Sequence, residues 1–585
     1  MVPWCPRLLA SGLWLASLTS ALTCRDKAPA VTVKNGTYSG VYSREYQQDF
    51  FLGVPYAQTP ARFTLAQSLN ETWDGAREAT AYPKHCVGYG GDMIGYESSE
   101  DCLYLNVVRP AGIEPDADLP VAVWIHGGGL YMGGSADRRY NLSFTVQNSV
   151  ELGTPVIGVS LNYRLTAFGF LTGQEVRDAG ITNNGFRDQH LALHWIKENI
   201  KAFGGSPDKI TIFGESSGAE SVSAQTLAYN GRDDGLFRAA IGQSGFGGVL
   251  HRFPGGHNNT EMQQETYDRL VQATGCASGD AASSLECLRA LPFEEINAAL
   301  NGTEQYTWPP ILDGDFIADY PSRQLADGRF PKIPILIGCN ADEGVDFGTG
   351  RGPRSSGGRI QSDSDFAESV KSFLGPDQTS GKTADELADE VSYVYPNIQA
   401  VGVPSLSTWP AIVAGDQIAT LFGVQWRRGA ALWGDLMFHF IRRRANQAWD
   451  KAGIPSYSYY FDVNVNGVPE YRGSTHFQEV AFVFNNLNGD GYAENPFANR
   501  PESFKDLAKV MNTAWINFFV HQDPNGPSGL AVRGGEGWPV YNTTTGGGVG
   551  QEVAFVPEGA FVQMDSWRAA GLNWLKENSL SVLGN

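Results

Sequence analysis

Short, almost continuously apolar segments alternate with helix-like segments along most of this chain. The apolar segments include YLNVVRP, LPVAVWIHGG, PVIGVSLNYR, KITIFGES, RAAIGQSG, IPILIGCN and SYSYYFDV. Continuous apolarity, bounded by Gly, Pro or Asn, is typical of strands that are buried on both faces of a mostly parallel sheet. A helix-like segment stops at Gly204-Gly205 after four apolar positions on one side, Leu191, Leu193, Ile196 and Ile200. The alternation predicts one large α/β sheet flanked by helices. The last third is rich in helix-like segments, which are expected to cover the sheet as an insertion rather than to fold as a separate domain.

Composition narrows the classes of function. Hydrophobic residues make up 42% of the 585 residues and charged residues 18%. This composition excludes a chain that is mainly disordered or mainly coiled coil. The formal net charge of −20 opposes binding to nucleic acid and to anionic lipid, because such a surface repels phosphate. A rule of about 150 residues per domain suggests roughly four domains, although no repeat or Pro/Ser-rich linker divides the chain.

The first residues have the layout of a secretory signal peptide. Arg7 precedes an apolar stretch from Leu8 to Leu18, and small residues follow it. We therefore expect residues 1–23 to be a removable signal, residues 24–585 to be the mature chain, and the protein to be extracellular. A membrane anchor would need about 20 apolar residues, and no other stretch is long or apolar enough to span a bilayer.

The cysteines and sequons fit an oxidising, extracellular destination. Cys86 and Cys102 enclose 15 residues and Cys276 and Cys287 enclose ten, so a local bridge is plausible in each case, although spacing alone does not prove pairing. Cys339 lies in an apolar run and is expected to be a buried free thiol. The candidate glycosylation sites are Asn35, Asn70, Asn141, Asn258, Asn301 and Asn542.

The segment KITIFGESSGAE contains the one G-x-S-x-G match in the chain, Gly214 to Gly218. Taken alone the motif is weak, because the chain has 69 glycines. However, an apolar strand leads into it and a helix-compatible stretch leaves it, which is typical of a nucleophile elbow. The interpretation is that Ser216 is a nucleophile exposed above the sheet, the alternative being a structural Gly/Ser turn.

Upstream, the strand VAVWI ends in His126-Gly127-Gly128-Gly129. A serine nucleophile creates a tetrahedral oxyanion, and glycines let backbone N–H groups approach that oxyanion closely. An HGGG loop together with the amide of Ser217, the residue after the nucleophile, is the arrangement expected for lipases and esterases.

The general base is expected among the histidines that follow Ser216. His439 lies inside a helical run and is expected to be packed, while His521 follows a helix end and is expected at the surface. His476 lies in a polar loop between a strand and an apolar run, where such a base is usually held. The acid is expected after a strand end, where both Asp342 and Glu343 follow IPILIGCN, and position does not choose between them.

These segments together resemble the type-B carboxylesterase/lipase family of α/β-hydrolases, which includes cholinesterases, bile-salt lipase and secreted fungal lipases. The matching segments occur in order over most of the chain: FLGVPYA, SEDCLYLNVVRP, WIHGGG, VSLNYRLTAFGFL, NNGFRDQHLALHWIKENIKAFGGSP, ITIFGESSGA, LFRAAIGQSG, NADEG and THFQEVAFVF.

The resemblance implies a single catalytic domain and a Ser216–His476–Glu343 triad. It also implies oxyanion donors from Gly128, Gly129 and Ser217, the bridges Cys86–Cys102 and Cys276–Cys287, and no metal or organic cofactor. The predicted function is a secreted serine hydrolase of carboxylic esters, acting on a small-molecule or lipid ester.

Two alternatives and two departures from the family accompany this prediction. One alternative is a lipase for long acyl chains. The other is a non-catalytic adhesion protein on the same fold, although non-catalytic relatives of this kind typically lack the nucleophile. Choline-binding family members carry a Trp inside the first disulfide loop. Here that loop has Tyr89 and Tyr96 but no Trp, so cholinesterase activity is not expected. The loop is also short compared with the lid of some fungal lipases.

Overall fold

The computed structural model describes residues 28–248, 256–277, 281–302, 308–374, 379–527, 529–535, 537–544 and 546–584. The predicted signal peptide at residues 1–23 lies outside these ranges. No helix in the described ranges combines the length and the apolar character needed to cross a bilayer.

The strands, in chain order, are β1 Ala30–Thr32, β2 Thr37–Ser39, β3 Val41–Ser43, β4 Gln48–Pro55, β5 Ala76–Glu78, β6 His85–Cys86, β7 Ser98–Ser99, β8 Tyr104–Pro110, β9 Leu119–Ile125, β10 Ile157–Leu161, β11 Gly205–Glu215, β12 Ala239–Gln243, β13 Ile335–Asn340, β14 Ser456–Phe461, β15 Gln551–Val556 and β16 Gly559–Met564.

The α-helices are α1 Leu142–Glu151, α2 Thr166–Phe170, α3 Gln174–Asp178, α4 Asn184–Asn199, α5 Ser217–Gly231, α6 Thr260–Ala273, α7 Ala281–Ala290, α8 Phe293–Leu300, α9 Pro321–Asp327, α10 Gly344–Gly348, α11 Asp363–Lys371, α12 Ala384–Val394, α13 Gln417–Phe422, α14 Trp426–Gly434, α15 Phe440–Lys451, α16 Val480–Val483, α17 Ser503–His521 and α18 Ala569–Glu577. A π-helical turn, Asp435–His439, joins α14 to α15.

The central sheet has eleven strands in the order β16-β15-β14-β13-β12-β11-β9-β10-β8-β4-β3. The six neighbouring pairs from β15 to β10 are parallel, and both edges are antiparallel. The predicted α/β architecture is therefore confirmed as a large mixed sheet. The apolar strand β8 pairs antiparallel with β10 and β4, so its continuous apolarity reflects burial on both faces rather than parallel pairing.

Alternate residues of the central strands pack into two separate hydrophobic layers. On one face, Val121 and Val123 of β9 join Leu193 and Ile196 of α4. On the other face, Trp124 joins a layer that includes Trp515 of α17. The apolar face predicted for the helix around α4 is thus the face that packs against the sheet.

A third hydrophobic cluster covers the carboxyl end of β13. It joins Cys339 of that strand to Leu432 of α14, Phe438 of the π-helical turn and Leu572 of α18. The helix-rich segment from α10 to α15 therefore packs onto the end of the sheet, as expected for an insertion that covers the sheet. In the same cluster Cys339 is buried and free.

Two disulfides lie in the described residues. Cys86 is bonded to Cys102 and Cys276 to Cys287, as the resemblance implies. Of the six sequons, Asn70, Asn258, Asn301 and Asn542 are exposed, while Asn35 and Asn141 are partly buried. The Asn141 side chain caps α1, because its Oδ1 accepts a hydrogen bond from the Ser143 N–H at 3.0 Å. Glycosylation at these positions stays a prediction.

Candidate active site

Ser216 stands at a sharp turn between β11 and α5. Its φ of 56° and ψ of −127° lie outside the usual regions for a residue with a side chain, so the turn is strained. The motif glycines make this turn possible, since a Cβ on Gly218 would lie 2.1 Å from the Ile125 carbonyl oxygen. The Ser216 N–H donates to the Gln243 carbonyl at 2.9 Å, which ties the turn to the end of β12. The side chain is left partly exposed in a cavity above the sheet.

The glycine loop after β9 lies beside this turn. Gly128 and Gly129 have φ of 95° and 66°, the left-handed region that favours glycine. In the described part of the chain neither amide N–H donates a hydrogen bond, and both residues line the cavity that contains Ser216. Ser217 is the first residue of α5, where backbone N–H groups have no intrahelical partner. Its Oγ accepts from the Leu130 N–H at 3.1 Å and so joins the loop to the helix.

His476 and Glu343 meet across 133 residues of sequence. His476 Nδ1–H donates to Glu343 Oε2 at 2.6 Å. Glu343 is fully buried, and its Oε1 accepts from the Ser244 hydroxyl at 2.5 Å and from the Asn340 N–H at 2.8 Å. Since Nδ1 carries the proton, Nε2 of the neutral ring is an acceptor, and it has no hydrogen bond within the described ranges.

Sequence position left Asp342 and Glu343 open and the family resemblance implied Glu343; in the structure the two carboxylates have different partners. Asp342 points away from the cavity, and its Oδ2 accepts from the Ser474 N–H at 2.8 Å. Burial raises the pKa of the Asp342 carboxyl well above its usual value. Asp342 therefore braces the loop that carries His476, whereas Glu343 contacts the imidazole itself.

Two further buried carboxylates surround the imidazole. Glu215 Oε1 lies 3.2 Å from His476 Nε2, and Glu479 accepts from Gln243 and from Asn340. Burial raises the pKa of Glu215 and Glu479. Burial by itself would lower the pKa of His476, but the surrounding carboxylates outweigh it and raise that pKa above its usual value. The site thus stabilises a positive charge on the imidazole.

The cavity above these residues has a volume of about 360 Å³. Arg139 lines one side, with its guanidinium 2.6 Å from Asp92 and stacked 4.6 Å from the Phe477 ring. Asp92 belongs to the first disulfide loop, so this ion pair fixes that loop beside the cavity. The apolar lining consists of Tyr131, Met132, Phe347, Met437, Phe438 and Phe477.

The predicted site residues lie together in the structure, beside buried neighbours that were not predicted. The structure brings Ser216, His476, Gly128, Gly129 and Ser217 around one cavity, with Glu343 behind the imidazole. His439 is buried and packs against Trp567, whereas His521 is exposed at the end of α17, as predicted. Glu215 and Ser244 were not predicted, although Glu215 ends the apolar strand β11 and Ser244 directly follows the apolar strand β12, a position that could have indicated them.

A sequence model described as the carboxylesterase family matches residues 27–549. The chain belongs to this family. Lipase 4 of Diutina rugosa is 30% identical over 97% of this chain and 99% of its own length. Secreted lipase 1 of Botryotinia fuckeliana (strain B05.10) is 30% identical over 88% of each chain. The solved structure of the Geobacillus stearothermophilus carboxylesterase EST55 superposes with a TM-score of 0.71, at 28% identity, over 92% of this chain and 99% of that one.

The family assignment and the geometry agree on the kind of chemistry available. A hydroxyl, an imidazole held in one tautomer by a carboxylate, and free backbone N–H groups are the parts of an acyl-transfer site. In this carboxylesterase-family chain, all of them lie where β9, β11, β13 and β14 end or in the loops that follow.

Proposed function

We propose that this chain is a secreted hydrolase of carboxylic esters that works through an acyl-enzyme on Ser216. The observation that carries the proposal is the 2.6 Å contact between His476 Nδ1 and Glu343 Oε2, with His476 and Ser216 lining one cavity. That contact leaves Nε2 as the acceptor for the Ser216 hydroxyl proton.

The reaction proceeds in two half-reactions. Ser216 Oγ bonds to the ester carbonyl carbon while its proton moves to His476 Nε2, and the same proton then passes to the alcohol oxygen as the C–O bond breaks. A water molecule next bonds to the acyl carbon and gives a proton to Nε2. That proton returns to Ser216 Oγ as the acid leaves. The Glu343 carboxylate stabilises the imidazolium that forms in each half.

The negative charge on the carbonyl oxygen is stabilised by backbone donors. Gly128, Gly129 and Ser217 offer N–H groups at the edge of the cavity, and such preorganised donors are worth about 10²–10³ in rate apiece. The start of α5 adds a partial positive charge beside Ser217. No residue in this sequence of steps requires a metal or an organic cofactor.

Secretion and a single mature catalytic domain at residues 24–585 form part of the proposal. The support is the signal-like sequence at residues 1–23, the two disulfides and the similarity to a secreted fungal lipase. The exposed sequons fit a glycosylated extracellular protein.

A second candidate function is hydrolysis of long-chain acylglycerols. It is favoured by the apolar lining of the cavity and by Ile94, which is 81% exposed on the same disulfide loop as the cavity residue Asp92. An exposed apolar side chain beside a cavity is suited to contact with a lipid surface.

Rapid-mixing kinetics with p-nitrophenyl acetate test the proposed function. We expect a burst of one p-nitrophenol per chain when deacylation is slower than acylation, because the alcohol leaves before the acid. Acetate, butyrate and palmitate esters compared at equal concentration separate the two candidates. A fall in kcat/KM with chain length indicates an esterase, and a rise indicates a lipase. A wild-type protein that gives neither burst nor turnover would contradict both.

The pH dependence of kcat/KM should report His476, which must be neutral to accept the Ser216 proton. The rate is expected to rise with pH, with a midpoint above 6.5, because the Glu215 and Glu343 carboxylates raise the pKa of the imidazole. Glu215→Gln removes one of these charges and should move the midpoint to lower pH. The exposed residue Glu114 supplies the control, since Glu114→Gln should leave the midpoint unchanged. A wild-type midpoint below 6.5 contradicts the prediction.

A further inference from the structure

Two histidines on α4 face the loop that follows α5. His190 and His194 are one helical turn apart, and their ring centroids are 5.0 Å apart. Asp234 lies in the loop, with Oδ2 3.4 Å from His190 Nε2. One ligand atom from each of these three side chains lies within 4.8 Å of the other two. In the described part of the chain, no other three His, Cys, Asp or Glu side chains form so compact a group.

Hydrogen bonds from α5 fix the tautomer of His190. Gln225 Nε2 donates to the Phe186 carbonyl at 3.0 Å and to Gln189 Oε1 at 3.1 Å. These two bonds orient the Gln225 amide so that its Oε1 faces His190 Nδ1 at 3.0 Å. An amide oxygen only accepts, so Nδ1 carries the ring proton.

The other ring nitrogen of His190 is therefore left as a lone pair. Nε2 is buried and makes no hydrogen bond to any described residue, although the Asp234 carboxylate faces it. Two acceptors that face each other in this way repel unless a proton or a metal ion lies between them. Metal-bound histidines commonly show this arrangement, donating the second N–H to a carbonyl or carboxylate oxygen that orients the ring.

We propose that His190, His194 and Asp234 bind one divalent transition-metal ion, for which Zn²⁺ is the best chemical match. Imidazole nitrogens select Zn²⁺ and its neighbours over Mg²⁺ or Ca²⁺, and two nitrogens with one carboxylate oxygen are a common zinc ligand set. Arg232 already donates to both Asp234 oxygens, at 2.7 and 2.8 Å. Because each carboxylate oxygen has a second lone-pair site, the metal and the guanidinium can share Asp234.

The ion would join α4 to the chain that follows the nucleophile helix. His190 is held by Gln225 of α5, and the last turn of α5, which leads into the loop, is anchored where the Tyr229 N–H donates to the Phe316 carbonyl at 3.0 Å. Three ligands on elements fixed in this way are preorganised, so binding costs little ordering of the chain. Binding to the folded state alone stabilises that state, and we expect the metal to raise the thermal unfolding midpoint.

Isothermal titration of Zn²⁺ into the full-length chain, without a histidine tag and treated with chelator, tests the proposal. The expected result is one Zn²⁺ per chain and a raised unfolding midpoint. His194 is exposed, so His194→Ala should fold normally and keep its basal ester hydrolysis, yet bind Zn²⁺ at least about tenfold more weakly. Asp234→Asn should weaken binding similarly.

Two controls separate this site from other histidines. His521→Ala removes another exposed imidazole and should bind as wild type does, and His476→Ala should also retain the one-ion stoichiometry. The proposal is overturned if Zn²⁺ does not bind at millimolar concentration, or if His194→Ala binds it as tightly as wild type. It is equally overturned if binding disappears in His476→Ala and persists in Asp234→Asn.

Discussion

Replacing Ser216 by alanine is expected to lower kcat for p-nitrophenyl esters by about 10⁶-fold. Without Oγ no acyl-enzyme forms, and the imidazole and the backbone donors can act only on a direct attack by water. Alanine keeps the Cβ of serine, so the strained backbone at φ 56° is unchanged. We therefore expect the variant to fold and to unfold at the wild-type midpoint.

The matched control for Ser216→Ala lies on the same helix. Ser223 is buried in α5 and its Oγ accepts from the Gly247 N–H at 3.3 Å, outside the residues that line the cavity. Ser223→Ala should keep activity of the wild-type order. Mass spectrometry after treatment with an aryl phosphonate should show one covalent adduct in wild type and in Ser223→Ala and none in Ser216→Ala. Substantial turnover by Ser216→Ala would place the nucleophile elsewhere.

Replacing Glu343 by glutamine is expected to lower kcat by about 10⁴-fold, because the imidazole is then held in the wrong tautomer. The Ser244 hydroxyl and the Asn340 N–H both donate to Glu343 Oε1, so a glutamine oxygen remains in that place. Its NH₂ group then faces His476 Nδ1 and donates to it. The ring proton moves to Nε2, where it blocks transfer from Ser216.

The neighbouring carboxylate provides the control for Glu343→Gln. Asp342 accepts from the Ser474 N–H, and an asparagine oxygen can accept the same bond. Asp342→Asn should therefore retain activity of the wild-type order, measured as kcat for p-nitrophenyl butyrate alongside Glu343→Gln. The reverse result, an active Glu343→Gln and an inactive Asp342→Asn, would exchange the roles given to the two residues.

The predictions from sequence succeeded where the structure is local. A tight strand–turn–helix needs glycines beside Ser216, since a Cβ at Gly218 would collide with the Ile125 carbonyl. The loop at Gly128 and Gly129 likewise adopts positive φ values that favour glycine. Steric requirements of this kind depend on a few adjacent residues, so a short sequence motif is enough to predict the backbone geometry.

The predictions were incomplete where distant segments meet. The apolar run of β8 indicated burial but not direction, because direction depends on how the chain connects its strands. Glu215 was hidden inside the nucleophile motif, and only folding places its Oε1 3.2 Å from His476 Nε2. Ser244 follows the apolar strand β12, but its hydrogen bond to Glu343, 99 residues further along the chain, forms only when the two segments pack together.

The sequence by itself determined the sheet-and-helix architecture, the nucleophile turn and the glycine loop, because each follows from apolar periodicity or from backbone sterics. Sequence position left Asp342 and Glu343 open and the family resemblance implied Glu343, but only the tertiary structure shows the physical reason. Asp342 and Glu343 follow the same strand, but a turn of one residue directs the first to the Ser474 backbone and the second to His476. That choice depends on the loops after β13 and β14 packing together, a contact between segments more than a hundred residues apart.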